Sequence, residues 1–156
     1  MDVASRSRAF LVEFIIVILF FSIATGIIVR VFAGANSIRQ KANDLTIAAA
    51  KVQSIAEYAK ASEGKKDYIE QLEKQGAIEE QEETYVYYYD KEWALQKGSQ
   101  NYNYKIEVQC ESQSLKAGEV LKVQISANKA KLQMGNTSLS EIYALQSIKY
   151  YPKTNN

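Results

Sequence analysis

An uninterrupted apolar stretch near the N-terminus limits, more than any other feature, what this chain can fold into. Residues 9–29 read AFLVEFIIVILFFSIATGIIV and contain one ionisable side chain, Glu13. A helix of this length spans about 30 Å, which is roughly the thickness of the hydrocarbon core of a bilayer. The sequence therefore predicts a transmembrane helix at residues 9–29, preceded by a short basic leader or cytoplasmic tail at residues 1–8.

Two alternatives concern how this segment is processed and oriented. The small residues at positions 24–26 are similar to a signal-peptide cleavage site, but the apolar run resumes at once with Ile27. Arg8 precedes the segment and Arg30 follows it, so the positive-inside rule does not decide the orientation. The short N-terminal tail favours the cytoplasmic side. We therefore expect a single-pass protein of the cell membrane whose C-terminal domain is extracytoplasmic and whose anchor contacts the lipid bilayer.

A seven-residue repeat of small and larger apolar side chains follows the membrane segment. Its members are Ala35, Ile38, Ala42, Leu45, Ala49, Val52, Ala56 and Ala59. Spacing by three and four residues is typical of the apolar stripe of an amphipathic helix, which we predict at residues 30–61 as a continuation of the membrane helix. The stripe either covers the protein's own sheet or forms a helix-to-helix seam with a partner chain.

The remaining residues, 62–156, are predicted to form one small extracytoplasmic α+β domain. A second helix is expected from Lys65 to Gln75 with Gly76 as its stop, and the acidic residues 79–83 are expected to form a solvated loop. From Thr84 onward the apolar period changes to two, which indicates strands. Four strands are predicted, at residues 84–90, 102–110, 120–127 and 141–151, with Gly135 in the turn before the last. The predicted fold is thus a long N-terminal membrane-plus-amphipathic helix packed on a small four-stranded antiparallel sheet.

Composition argues against several classes of function. The 19 basic and 18 acidic residues nearly cancel, so no nucleic-acid partner is expected, and the chain has no histidine to act as general base or zinc ligand. Cys110, the single cysteine, lies on the apolar face of its predicted strand, which favours a buried structural thiol. Glu107, Glu111 and Glu119 follow the exposed alternation of their strands. We predict a non-enzymatic protein without a cofactor or a metal.

The start of the apolar segment carries a resemblance. A basic leader, the run Arg8-Ala9-Phe10-Leu11-Val12-Glu13-Phe14, an apolar helix, its amphipathic continuation and a small antiparallel sheet resemble the layout of type IV pilins and pseudopilins. The Val-Glu-Phe run also resembles the start of the pseudopilin-like TadE proteins. If Phe10 is the first mature residue, Ala9 occupies the cleavage position and Glu13 is fourth. If Glu13 is instead the fifth mature residue, Ala9 is the first mature residue and Arg8 occupies the cleavage position.

The resemblance implies roles for the first residues of the anchor. Arg8, Ala9 and Phe10 form the candidate leader-processing position for a prepilin peptidase, and Phe10 and Glu13 are the assembly residues. The implied function is a pilin-like or pseudopilin-like subunit of a pilus, secretion or uptake filament, with other pilin-like subunits as partners through the N-terminal helix. The alternative is a solitary membrane-tethered extracytoplasmic scaffold or sensor domain that does not polymerise.

Overall fold

A computed structural model describes residues 3–133 and 136–153, and of residues 3–9, 132–133 and 136 it describes the backbone alone. The chain divides into two compact units, residues 1–43 and residues 44–156. The described part of the first unit is entirely helical. The second contains the remainder of that helix, a second helix and an antiparallel sheet. The predicted α+β class is confirmed, but the sheet has six strands rather than four.

Helix α1 runs from Val3 to Ala61 without interruption. The segment contains no proline, and its two glycines, Gly26 and Gly34, do not break it because one glycine weakens a helix by only about 1 kcal/mol. The prediction of one helix through the apolar and amphipathic segments is therefore confirmed. Within the second unit, α1 buries one face. The buried side chains of that face are Ala48, Val52, Ile55, Ala56 and Ala59.

Helix α2 spans Lys65–Lys74, close to the predicted bounds. Tyr68 and Leu72 are fully buried, one helical turn apart on the same face. The chain leaves the helix through Gly76, whose φ of 95° lies in the left-handed region where a side chain would be strained. The predicted glycine stop is confirmed.

The sheet is an antiparallel meander with one side branch. Its strands are β1 (Ile78–Gln81), β2 (Thr84–Tyr89), β3 (Leu95–Gln96), β4 (Tyr104–Leu115), β5 (Gly118–Gln133) and β6 (Asn136–Pro152). They lie in the order β1-β2-β4-β5-β6, and β3 also pairs with β2. The longest pairing is the β5–β6 hairpin, in which Ile142 is an extra residue opposite the step from Ala127 to Asn128. The four predicted strands correspond to β2, β4, β5 and β6.

The prediction of a solvated loop at residues 79–83 is wrong for its first half, because β1 pairs with β2 there. Charge neutralisation explains why an acidic segment can join a sheet. Glu80 accepts a hydrogen bond from Lys105 at 2.8 Å and another from the Tyr88 hydroxyl. The short strand β3 was not predicted, and β4, β5 and β6 extend well beyond their predicted ends. Gly135 lies outside the described residues.

The core lies between the helices and one face of the sheet. Alternate residues of β2, β4 and β5 point toward the helices, which the period of two predicts. The buried side chains of this face are Tyr85, Tyr87, Tyr89, Tyr104, Ile106, Val108, Cys110, Leu121, Val123, Ile125 and Ala127. Buried tyrosines need hydrogen-bond partners, and the Tyr87 hydroxyl donates to the carbonyl of Leu72 at 3.2 Å.

The C-terminal end of α1 is held by the end of β6. The Lys149 ammonium donates to the carbonyl of Lys60 at 2.5 Å and to the carbonyl of Ser62. The Ser62 hydroxyl, which is buried, lies 2.8 Å from the Tyr151 hydroxyl. A cation at this end satisfies orphan carbonyls and interacts favourably with the helix dipole. Strand β6 therefore caps the C-terminal end of α1.

Candidate membrane anchor and assembly site

The first unit exposes a continuous apolar surface. Its large apolar side chains from Phe10 to Phe32 are between 46% and 78% exposed. Soluble monomers rarely expose apolar patches larger than a few hundred Å². The helix is long and apolar enough to cross a membrane, and none of its most apolar stretch is buried within the chain. The described part of the chain thus leaves this apolar segment exposed.

The hydroxyl side chains within this surface are already paired. Ser22 donates to the carbonyl of Ile18 at 2.8 Å, and Thr25 donates to the carbonyl of Phe21 at the same distance. Both bonds reach back four residues along α1, a common arrangement for Ser and Thr inside helices. Groups satisfied in this way avoid the cost of an unpaired polar group in hydrocarbon.

The predicted assembly residues lie together on α1. Phe10 and Phe14 are one turn apart with their ring centroids 6.4 Å from each other, and Glu13 follows Phe10 by three residues, which places both on neighbouring positions of the helix surface. Glu13 is exposed and forms no ion pair with any residue whose side chain the structure describes. Arg8 and Ala9 belong to α1, but their side chains lie outside the described part of the chain.

The alanine repeat has two different environments along the same helix. Ile38 is 69% exposed and Leu45 is 45% exposed, whereas Val52 is fully buried and Ala59 is 1% exposed. The C-terminal half of the stripe therefore covers the protein's own sheet, as one of the two interpretations predicts. The N-terminal half is not covered in this way.

Asp44 connects α1 to the sheet where the second unit begins. Its carboxylate accepts a hydrogen bond from the Tyr104 hydroxyl at 2.8 Å and from the Lys129 ammonium at 2.7 Å. The hydrogen bond to Asp44 raises the pKa of Lys129, while burial and then Asp44 raise that of Tyr104. No local sequence pattern predicts this cluster, because the partners of Asp44 lie 60 and 85 residues away from it along the chain.

Cys110 is the one thiol in the chain and lies in the middle of β4. It is 1% exposed, and burial raises its pKa to about 12. A thiol that stays protonated is a poor nucleophile. The prediction of a buried cysteine is confirmed.

We compared the chain with family models, curated proteins and solved structures, and no match was found in any of the three.

Proposed function

We propose that this chain is a membrane-anchored, non-enzymatic, pilin-like or pseudopilin-like subunit that assembles with other such subunits through its N-terminal helix. One observation carries the proposal: α1 is a single unbroken helix that is bare and apolar from Phe10 to Phe32 and covered by its own sheet from Ala48 to Ala59. A single spanning helix is enough to hold the chain in a bilayer. The sheet domain would then lie outside the cytoplasm, at the cell membrane.

Assembly would bring the exposed apolar segments of neighbouring helices, residues 10–32, together. Lipid tails are as apolar as the side chains of the anchor, so packing and buried polar contacts, rather than the hydrophobic effect, drive helices together inside a bilayer. Glu13 is the polar group available for this role. A carboxylate costs on the order of 2.5–3.5 kcal/mol at the bilayer centre but much less about one turn inside the apolar segment, where Glu13 lies and can reach the headgroups. A cation from a neighbouring subunit would offset the cost that remains.

The resemblance suggests the source of this cation. In pilins the matching glutamate pairs with the free N-terminal amine of a neighbour, and a prepilin peptidase acting at Arg8, Ala9 or Phe10 would create that amine. A buried pair adds little stability compared with apolar packing, but losing one partner leaves an unpaired charge. Glu13 would therefore determine how neighbouring subunits align along their helices. It would not set the affinity of the subunits for lipid.

Replacing Glu13 tests this proposal directly. We expect Glu13→Ala to insert into membranes as well as or better than the wild type, and to lose co-purification with partner subunits. Glu13→Gln keeps the shape and removes the charge, so we expect nearly the same loss. The measurement is affinity purification from membranes after crosslinking, with membrane insertion checked by carbonate extraction.

Val12→Ala is the matched control, because Val12 is an exposed neighbour in the same turn and carries no charge. It should assemble normally. Normal assembly of both Glu13 variants would contradict the pilin-like role. It would favour the alternative, a solitary tethered scaffold or sensor. The complete core of residues 44–156 is compatible with that alternative as well.

Orientation has a separate test. Ser138 is exposed in β6, so Ser138→Cys should react with a membrane-impermeant maleimide on intact cells if the domain is extracytoplasmic. The wild type is a suitable blank because its Cys110 is buried. Labelling that begins only after the membrane is opened would reverse the proposed orientation.

A further inference from the structure

The face of the sheet that points away from the helices carries a polar depression. The register aligns Gln109, Gln124 and Gln146 as one row across β4, β5 and β6. A second row, one pleat further along, contains Glu107, Ser126 and Ala144. Because Ser126 and Ala144 are smaller than the side chains around them, a trough forms above them. Its lining also includes Glu141 and the strand segments at Ile125 and Leu145.

The bulge in β6 determines the far wall of this trough. Ile142 is the extra residue, so Glu141 rather than Ile142 pairs with Asn128 and returns to the open face. A bulge commonly redirects a side chain in this way. The trough therefore lies between the glutamine row on one side and Asn128 and Glu141 on the other.

Hydrogen bonds and an ion pair orient two of the polar side chains in the trough, those of Glu107 and Ser126. The Glu107 carboxylate accepts a hydrogen bond from the Gln109 amide at 3.2 Å and forms an ion pair with Lys105 at 3.4 Å. These contacts hold its orientation, and Lys105, which also pairs with Glu80, offsets part of its charge. The Ser126 hydroxyl accepts a hydrogen bond from Asn128 at 3.2 Å and keeps its own proton for donation. Gln124 and Gln146 add both donors and acceptors on the opposite wall.

This set of groups favours an uncharged, hydroxyl-rich ligand. Anions are disfavoured, because the lining contains two carboxylates, those of Glu107 and Glu141, and no cationic side chain. A metal ion is disfavoured as well, because two carboxylates are fewer than the three ligands that a metal site needs, and no group of three such side chains occurs among the described residues. Apolar ligands are disfavoured, because of the side chains that line the trough only Ala144 is apolar: Ile125 and Leu145 point into the core. Carboxylates accept paired hydrogen bonds and amides both donate and accept them, which suits neighbouring hydroxyl groups on a sugar ring. The glutamine row crosses three strands, or about 10 Å, so it can contact more than one ring.

From this arrangement we infer that the trough formed by Glu107, Gln124, Ser126, Glu141, Ala144 and Gln146 is a binding site for a neutral oligosaccharide. The inference does not depend on polymerisation through α1, since every residue that carries it belongs to residues 44–156. A site this shallow supports weak, readily reversible binding. It would bring the domain into contact with glycans rather than act on them.

The test uses the full-length protein in lipid nanodiscs, because sugar-based detergents would compete for the site. The probes are cellohexaose, maltohexaose and chitohexaose, and hexagalacturonic acid is the charged comparison. Saturation-transfer NMR and calorimetry measure binding. We expect at least one neutral probe to bind. Ala144→Tyr should fill the trough and weaken that binding at least about tenfold, which corresponds to about 1.4 kcal/mol.

Gln124→Ala provides a second variant that removes hydrogen bonds without adding bulk, and we expect it to weaken binding as well. Ser138→Tyr and Gln113→Ala are matched controls in β6 and β4 outside the trough, and both should bind as the wild type does. Three results would overturn the inference: no neutral probe binding at millimolar concentration, tighter binding of the acidic probe, or folded Gln124→Ala and Ala144→Tyr proteins that bind normally.

Discussion

The two units of this chain use different aromatic residues. All five phenylalanines lie before residue 44, whereas all eleven tyrosines and the one tryptophan lie after it. Phenylalanine has no polar atom to satisfy, so it suits a helix surrounded by nonpolar groups. Tyrosine places its ring in a core while its hydroxyl finds a partner, as Tyr87 and Tyr104 do. The aromatic side chains of the two units therefore suit different surroundings, nonpolar in the first unit and a core with hydrogen-bond partners in the second.

The largest difference is expected when the same substitution is made in the buried half and in the exposed half of the alanine stripe of α1. Val52→Asp buries an unpaired charge in the core, and we expect it to destabilise the domain by roughly 3–5 kcal/mol. That is a large part of the 5–15 kcal/mol typical of a small domain. Ile38→Asp, at an exposed position of the same stripe, should change stability by less than about 0.5 kcal/mol. Thermal unfolding followed by circular dichroism in the tyrosine and tryptophan bands, where phenylalanine does not absorb, reads only the domain, because the tyrosines and the tryptophan lie there. Equal losses in the two variants would mean that the first half of the stripe is also covered.

Alkaline pH should act on the second unit alone. Burial raises the pKa of Tyr89 to about 12 and also raises those of Tyr68 and Tyr87. In the unfolded chain these phenols ionise near pH 10, whereas in the folded domain they stay protonated. Stability should thus fall above about pH 10 by about 1.4 kcal/mol per pH unit for each such tyrosine, and the buried thiol of Cys110, whose pKa is also raised, should begin the fall about one pH unit earlier. The measurement is urea unfolding from pH 7 to pH 12. Tyr89→Phe should reduce the slope, and an unchanged stability at pH 12 would contradict this account.

A smaller effect is expected from the link between Asp44 and the sheet. Asp44 is 13% exposed on its side chain, and Asp44→Ala leaves the hydroxyl of Tyr104 without its acceptor, at a cost of about 1–3 kcal/mol. Lys129→Met should cost less than about 1 kcal/mol, because Lys129 is 41% exposed. A double-mutant cycle measures their coupling. Lys122→Met, which breaks the exposed pair with Glu111, is the control and should be neutral.

The smallest effect on the free energy of unfolding should come from deleting the N-terminal segment. Removing residues 1–34 takes away the apolar anchor and none of the core. Residues 35–156 should therefore form a soluble monomer that unfolds cooperatively within about 0.5 kcal/mol of the full-length stability. Light scattering coupled to gel filtration, together with circular dichroism, checks both properties. The absence of a cooperative thermal transition would show that the core depends on the anchor.

Local periodicity predicted most of the fold. The continuous helix, α2 with its stop at Gly76, and the four main strands all follow from spacing and turn residues. Strand β1 was missed because Glu79 and Glu80 suggest a solvated loop, and only Lys105, 25 residues away from Glu80, makes a strand acceptable there. The long-range features could not be predicted from spacing. Asp44 finds its partners, and Glu107 its place in the trough, only once the register of the sheet is known.

The tie between β6 and α1 also has a consequence for biosynthesis. α1 leaves the ribosome well before β6, yet the ammonium that caps its last turn belongs to Lys149, 89 residues later than Lys60. Closing so long a loop costs entropy before any contact is gained. The nascent chain therefore carries an uncapped helix end and an unpaired β5 until β6 emerges. A chain truncated before β6 would keep both defects, so the domain completes its folding only after β6 has been synthesised.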